Sequence, residues 1–300
     1  YVFYRIMKKS ENYNNMGYLC LIQSVVDFIF VLVQLLVLRS FPLIFPFNLY
    51  NVSDISCKLL TFLRRYVIHA SCWVTVYITI DRYLAVCHIN RFKFLAKKSI
   101  IALVILVILL LLVVVNIPNL LYYLPARRGA ACTADQVPSM SSDLISLLVR
   151  NFIPLGLMII LNILMLHKMR VSSQTTLGQQ PTFSQREIQF TKTVIAYSVF
   201  FSITSFPVTM YFIPNNIYLY SGTFRTDLVL AAAYNLAFNI VVSISNLKAF
   251  LMFFMNFGFN KVFRRELLVW LRLNKSTNSS IYPTTKSNHL SITQNGLRNI

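Results

Sequence analysis

Charged residues are scarce in this sequence, and acidic residues are the scarcest. Aspartate and glutamate together number 9, against 28 lysines and arginines, and charged residues fill only 12% of the 300 positions. A soluble domain carries about twice that share of charge. Hydrophobic residues make up 56% of the chain, and its mean hydropathy is +0.61. The composition therefore argues against a soluble protein and indicates a membrane protein.

Signatures of other functional classes are missing as well. The net charge of +19 comes from short basic clusters between apolar runs, which is typical of membrane topology signals and not of nucleic-acid binding. The four histidines are scattered, and no HExxH, GxSxG or glycine-rich phosphate loop occurs. We therefore predict no enzyme, no cofactor and no metal site. No internal repeat occurs, which argues against a transporter.

Apolar segments long enough to span a membrane recur along the chain. An apolar stretch before Arg5 resembles the end of one more membrane helix, so we expect a fragment that lacks most of its first helix. The pattern predicts an all-α membrane protein with a bundle of seven transmembrane helices over 1–273 and a polar, disordered cytoplasmic tail over 274–300. The other six segments run at about 16–40, 57–87, 99–124, 143–168, 188–214 and 227–257.

Lysines and arginines are divided unevenly between the two sides of the predicted bundle. The side that holds Arg82 carries most of them and is predicted to be cytoplasmic. The other side holds Asn51-Val52-Ser53, so Asn51 becomes an extracellular glycosylation site. Of five cysteines, Cys57 and Cys132 fall on this side. An oxidising exterior favours a disulfide between them, and two unpaired thiols are the alternative.

Asp81-Arg82-Tyr83 stands at the cytoplasmic end of segment 57–87. Arg82 follows Cys57 by twenty-five residues, a helical rise of roughly 37 Å, or about one bilayer thickness. Together with Cys132 in a later loop, these residues resemble the rhodopsin-like (class A) G-protein-coupled receptors. Other positions agree with the family's spacing: Asp27, Pro118, Pro154, Phe201 six residues before Pro207, and a final stretch, 259–267, that resembles the amphipathic eighth helix.

The resemblance implies a receptor at the plasma membrane that binds an extracellular ligand and activates a heterotrimeric G protein. Arrestin and receptor kinases are further possible partners. In the family, the motif arginine is held at rest by acidic groups, so we expect Arg82 to pair with Asp81 and with Glu187, which would clamp the third and sixth helices together. Solvated interface charges are the alternative. Tyr83 completes the motif.

Two further positions of the family carry unusual residues here. Ser205 stands where the family has its toggle tryptophan, two residues before Pro207. In the family, the aspartate matching Asp27 and the serine matching Ser71 bind a sodium ion. Intramembrane charges are costly and usually have a partner, so we expect Lys248 to replace the ion by pairing with Asp27. A lysine that extends towards the lipid is the alternative.

A group of cations and aromatic residues lies on the extracellular side. Arg64 and Arg65 lie about two turns below Cys57, at the level where receptors of this kind bind ligands, and Arg64 stands where amine receptors carry an aspartate. An amine ligand is therefore disfavoured. A structural pairing of one arginine with an aspartate of the same side is the alternative. The predicted site for an acidic or carboxylate-bearing ligand comprises Arg64, Arg65, Arg150, Tyr211 and Tyr234.

The class of ligand rests on two short motifs. Residues 151–155 and 186–192 are similar to the corresponding segments of invertebrate neuropeptide (FMRFamide-like) receptors. We therefore expect a peptide ligand. The alternatives are a small acidic or lipid ligand, and an opsin-like photoreceptor in which Lys248 would hold the chromophore.

Overall fold

The structure is a computed structural model that describes residues 15–34, 49, 53–88, 94, 97–123, 136–175, 185–220, 228–247, 254–255, 257–258 and 261–271. Within these ranges the chain is helical and contains no β-strand. The main elements are α1 (Asn15–Val31), α2 (Asp54–Cys87), α3 (Lys98–Tyr122), α4 (Gln136–Leu147), a π-helical turn (Leu148–Phe152), α5 (Ile153–Thr175), α6 (Gln185–Tyr220), α7 (Leu228–Asn246) and α8 (Lys261–Trp270).

These helices confirm the predicted all-α membrane fold, with corrections at the ends of some segments. The segments 57–87 and 99–124 match α2 and α3 within three residues. The segments 143–168 and 188–214 were placed too short. The helices α4, the π turn and α5 follow one another without a break from Gln136 to Thr175, and α6 begins at Gln185 and continues past Pro214 to Tyr220. The start of segment 227–257 matches α7 within one residue; this helix ends at Asn246, Leu247 lies in a turn, and residues 254–255 and 257–258 are again helical.

The apolar lengths of the helices suit a bilayer. Among the described residues, four stretches are long and apolar enough to cross a membrane: Gly17–Gln34, Lys98–Tyr122, Met140–Val171 and Val229–Asn246. Two further helices, α2 and α6, have 34 and 36 residues and are long enough to span, but they carry more polar side chains. We call the end of the bundle that the sequence predicts to be extracellular the outer end.

The centre of the bundle is α2. This helix packs against α1, α3, α5, α6 and the π turn, and every residue from Val67 to Cys72 is buried. A helix that is buried all round must satisfy its polar side chains inside the protein. Its first turn is capped by Ser53, whose Oγ accepts a hydrogen bond from the backbone N–H of Ser56 at 3.1 Å. Thus α2 positions most of the functional side chains described below.

Three apolar clusters hold α1, α3, α5 and α6 around α2. Where the alternative environment is water, the hydrophobic effect drives such side chains together. Where the alternative environment is lipid, van der Waals packing between the helices takes its place. The clusters are Leu19, Cys20, Val74, Tyr77, Ile78, Ile101, Ile105, Val194 and Tyr197; Phe30, Val33, Val67 and Ile68; and Cys72, Val76, Met158 and Phe201.

The last described helix, α8, is amphipathic, as the sequence predicts. Phe263 and Leu267 lie one turn apart and are both buried, while Arg264 and Arg265 are half-exposed. Positions four residues apart share one face of a helix. The helix therefore has one apolar face and neighbouring basic groups.

Candidate functional site

Both terminal nitrogens of the Arg65 guanidinium are hydrogen-bonded at the outer end of the bundle. Its Nη2 lies 2.6 Å from Asp143 Oδ1 and donates to the Tyr123 hydroxyl at 2.8 Å. Its Nη1 donates to Ser142 Oγ and to Ser146 Oγ, both at 3.0 Å. These bonds join α2, the end of α3 and α4. The structure therefore favours the structural pairing of Arg65 with Asp143 over contact with a ligand.

The neighbouring arginine, Arg64, has a different environment. It is exposed, and its side chain makes no hydrogen bond or ion pair within the part of the chain that the structure describes. Its backbone carbonyl accepts from Gln34 Nε2 at 3.4 Å. Arg150 Nη2 donates to Ser245 Oγ of α7 at 3.2 Å, and the charges of Arg64 and Arg65 both act on the Arg150 guanidinium. We call Arg64, Arg65 and Arg150 the cationic cluster.

The π turn positions Arg150. A π-helical turn breaks the regular i to i−4 pattern of backbone hydrogen bonds, and within a membrane the affected carbonyls need other donors. Trp73 Nε1 donates to the Val149 carbonyl at 2.9 Å, and Cys72 Sγ donates to the Arg150 carbonyl at 3.1 Å. Sequence reasoning missed Trp73, although it is one of only two tryptophans in the chain.

The two predicted ligand-site tyrosines lie at the contact between α6 and α7. The Tyr211 hydroxyl donates to the carbonyl of Tyr234, and their ring centroids are 4.5 Å apart. The ring of Phe238 lies 5.7 Å from that of Tyr211. Both tyrosines are half-buried, so they join the two helices and leave part of each ring uncovered.

The predicted bend residues line the interior below this region. Phe201 is only 2% exposed and packs with Cys72 and Met158, which places α6 against both α2 and α5. Ser205 is buried, and Pro207 is half-buried within α6. Pro154 is buried directly after the π turn.

A buried polar cluster connects α1 to α2. Asp27 Oδ1 accepts from Ser71 Oγ at 2.6 Å and from Gln23 Nε2 at 2.8 Å. Thr75 Oγ1 donates to Gln23 Oε1 at 3.3 Å. The structure thus brings Asp27 and Ser71 together as the sequence predicts, and it adds Gln23 and Thr75, which their spacing of four residues from Asp27 and Ser71 could have indicated. Lys248 lies outside the described residues, so its pairing with Asp27 stays a prediction.

At the cytoplasmic end, Arg82 is 8% exposed, and its Nε donates to Asp81 Oδ2 at 3.0 Å. Its Nη2 also forms an ion pair with Asp81. The Tyr83 hydroxyl lies 3.5 Å from His88 Nε2. Glu187 lies in the first turn of α6, but its side chain is outside the described residues, so the clamp stays a prediction.

One link between α2 and α6 is described close to this end. Thr79 Oγ1 and Ser198 Oγ are 3.4 Å apart, and both are fully buried. Thr79 lies nearly one turn before Arg82 on α2. A weak hydrogen bond between Thr79 and Ser198 therefore joins α2 and α6, the two helices of the predicted clamp, deeper in the bundle than Arg82.

The predicted disulfide and the predicted glycosylation both involve residues at the outer end. Cys57 is fully buried in the first turn of α2, and Cys20, Cys72 and Cys87 are free thiols. Cys132 and Asn51 lie outside the described residues. The disulfide and the glycosylation therefore stay predictions.

The structure is an all-α array of membrane-length helices with a buried polar centre and a charged pair at the end of the central helix. These features define a helical membrane protein. Residues 1–250 match the family model described as 7 transmembrane receptor (rhodopsin family). The chain belongs to this family, which confirms the resemblance to rhodopsin-like receptors. It is accordingly a multi-pass membrane protein, and its family consists of receptors and not of enzymes. A search of curated proteins finds no match.

Proposed function

We propose that this protein is a plasma-membrane receptor for an extracellular neuropeptide and that it activates a heterotrimeric G protein when the cytoplasmic ends of α2 and α6 separate. The family match supports the receptor role. The observation that carries the ligand part of the proposal is that Arg64 is exposed and, among the described residues, its side chain has no hydrogen bond or ion pair.

The cationic cluster suits a ligand that brings an acidic or carbonyl-rich group. Asp143 compensates Arg65, so Arg64 and Arg150 are left as the cations for which a ligand can compete. A guanidinium presents several donors in a fixed plane and binds carboxylates in a bidentate manner. A peptide offers such acceptors at its C-terminus, at acidic side chains and along its backbone.

A small acidic or lipid ligand is the second candidate. The same two arginines favour it, because a carboxylate or phosphate group forms strong, bidentate hydrogen bonds with a guanidinium. The half-buried rings of Tyr211 and Tyr234 would offer apolar surface to the remainder of such a ligand.

At the opposite end of the bundle, Arg82 acts as the switch that controls G-protein binding. In the closed arrangement its guanidinium is held by Asp81, and Thr79 and Ser198 join α2 to α6 nearby. Separation of the helices would break this link and expose Arg82 to a G protein. Arrestin and receptor kinases would use the same cytoplasmic side.

A ligand screen on cells that express the receptor tests the proposal, with peptides in one arm and acidic metabolites and lipids in the other. Arg64→Ala should reduce the potency of an active ligand by about ten- to a hundredfold, the range expected for hydrogen bonds to a charged group. Lys58→Ala, a cation in the first turn of α2, is the matched control and should change it little. Equal potencies for wild type and Arg64→Ala would contradict the proposed site.

A further inference from the structure

A chain of buried side chains crosses from α4 through α3 to the middle of α2. Arg65 Nη1 lies 3.0 Å from Ser142 Oγ, which lies 2.8 Å from Asn119 Oδ1. Asn119 Nδ2 lies 3.2 Å from Asn116 Oδ1, and Asn116 Nδ2 lies 3.0 Å from His69 Nδ1. The last four of these residues are at most 5% exposed. We call these five residues the relay.

The donors and acceptors of the relay all run in one direction. Arginine has donors only, so Ser142 Oγ must accept from Arg65, and its own hydrogen is then donated to Asn119 Oδ1. The Asn119 amide nitrogen is left to donate to Asn116 Oδ1. A second contact fixes the Asn116 amide independently, because its Nδ2 also donates to the carbonyl of Leu112 at 2.7 Å.

The relay therefore ends on His69 Nδ1 as an acceptor. A ring nitrogen that accepts carries no proton, so His69 is neutral and its hydrogen is on Nε2. Protonation of Nδ1 would set an N–H against the N–H of Asn116 and place a charge in a buried site. We propose that His69 is a proton-binding site whose protonation breaks the relay, loosens α2 from α3 and weakens the anchoring of Arg65.

The charged groups that surround this part of α2 come from four elements. On α2 itself, Arg65 stands one turn outward, with Asp143 of α4 bonded to it. From α1, Asp27 contacts α2 at Ser71. From the π turn, Arg150 contacts α2 through its carbonyl. The residue that α3 presents to the ring, Asn116, is uncharged, and its amide nitrogen faces Nδ1 as a donor at 3.0 Å.

The sign of the pH dependence follows from this arrangement. The intact relay requires the neutral ring, and the opened form binds the additional proton. Stability should therefore be highest above the range in which histidine ordinarily titrates and should fall as the pH falls through it. Acid would act on the contact between α2 and α3, without any need for a bound ligand.

The test measures the apparent thermal midpoint of the full chain in lipid nanodiscs at about pH 7.5 and about pH 5.5, either side of the ordinary histidine range. For the wild type the midpoint should fall by about 2–4 °C or more. His69→Gln, which offers an acceptor that does not titrate, should remove most of that fall. His167→Gln replaces an exposed histidine of α5 and should keep it.

A second variant reverses the direction of the hydrogen bond between positions 116 and 69. In Asn116→Asp the carboxylate can accept from Asn119 and from a protonated His69, so acidification should now raise the midpoint or leave it unchanged. A wild-type midpoint that does not fall in acid, or an Asn116→Asp midpoint that falls as the wild type does, would overturn the proposal. The readout involves no ligand or G protein, so its result is independent of the proposed receptor function.

Discussion

Arg65 and Asp143 form an ion pair of 2.6 Å across α2 and α4, and each side chain is about one-fifth exposed, at 19% and 20%. The pair closes the outer side of the bundle and leaves the adjacent Arg64 exposed. Removal of one partner of a partly buried ion pair lowers stability more than replacement of both partners, because it leaves an uncompensated charge.

Breaking this pair should destabilise the receptor. Asp143→Ala should lower the free energy of unfolding by about 1–3 kcal/mol, an estimate reduced for the partial exposure of both side chains. Thermal denaturation of the purified receptor measures it. The double variant Arg65→Met with Asp143→Leu should recover part of the loss. A double variant that is as unstable as the sum of the single ones would show that the two side chains do not act as a pair.

The polar cluster between α1 and α2 should depend on Gln23. Gln23→Leu removes the amide that donates to Asp27 and accepts from Thr75, so we expect a loss of about 1–3 kcal/mol of stability. The thermal midpoint is again the measurement. Ser24→Ala is the control, because among the described residues the Ser24 hydroxyl bonds within α1 alone, to the carbonyl of Cys20 at 2.8 Å. Equal midpoints for the two variants would contradict a role for Gln23 in the cluster.

The π turn should depend on the donor of Trp73. Trp73→Phe keeps an aromatic ring but leaves the Val149 carbonyl without its partner at 2.9 Å, so Arg150 should lose its fixed position. We expect ligand potency to fall by about tenfold, equivalent to one ordinary hydrogen bond. Tyr66→Phe removes a hydroxyl whose bond to the Leu109 carbonyl is long, at 3.5 Å, and should have little effect. Unchanged ligand potency in Trp73→Phe would show that the position of Arg150 does not affect ligand binding.

The predicted clamp should set the basal activity. Glu187→Ala removes the proposed acceptor for Arg82 on α6, so the cytoplasmic ends should separate more readily and ligand-independent signalling should rise. Signalling is measured per receptor at the cell surface, with Lys192→Ala, an exposed cation of α6, as the control. If Glu187→Ala reaches the surface and signals no more than the wild type, Glu187 is not part of the resting lock.

The positions of the helices could be predicted from the sequence because hydrophobic runs and the Asp81-Arg82-Tyr83 motif are local along the chain. The side of the membrane is predicted from the count of lysines and arginines between the runs, and it stays a prediction. The length of the helix that holds Pro154 could not be read in this way. A proline normally favours a break, and the continuity of α4, the π turn and α5 depends on donors that α2 supplies to the freed carbonyls.

The sequence by itself determined the fold class and the receptor family, because each depends on the order and spacing of residues. The tertiary structure alone decided which of Arg64 and Arg65 is available to a ligand. The two residues are chemically identical, but successive positions on a helix point about 100° apart, and only Arg65 is directed at Asp143, seventy-eight residues away in the chain. Partners so distant in sequence become neighbours only through packing, and the contact between His69 and Asn116 is decided in the same way.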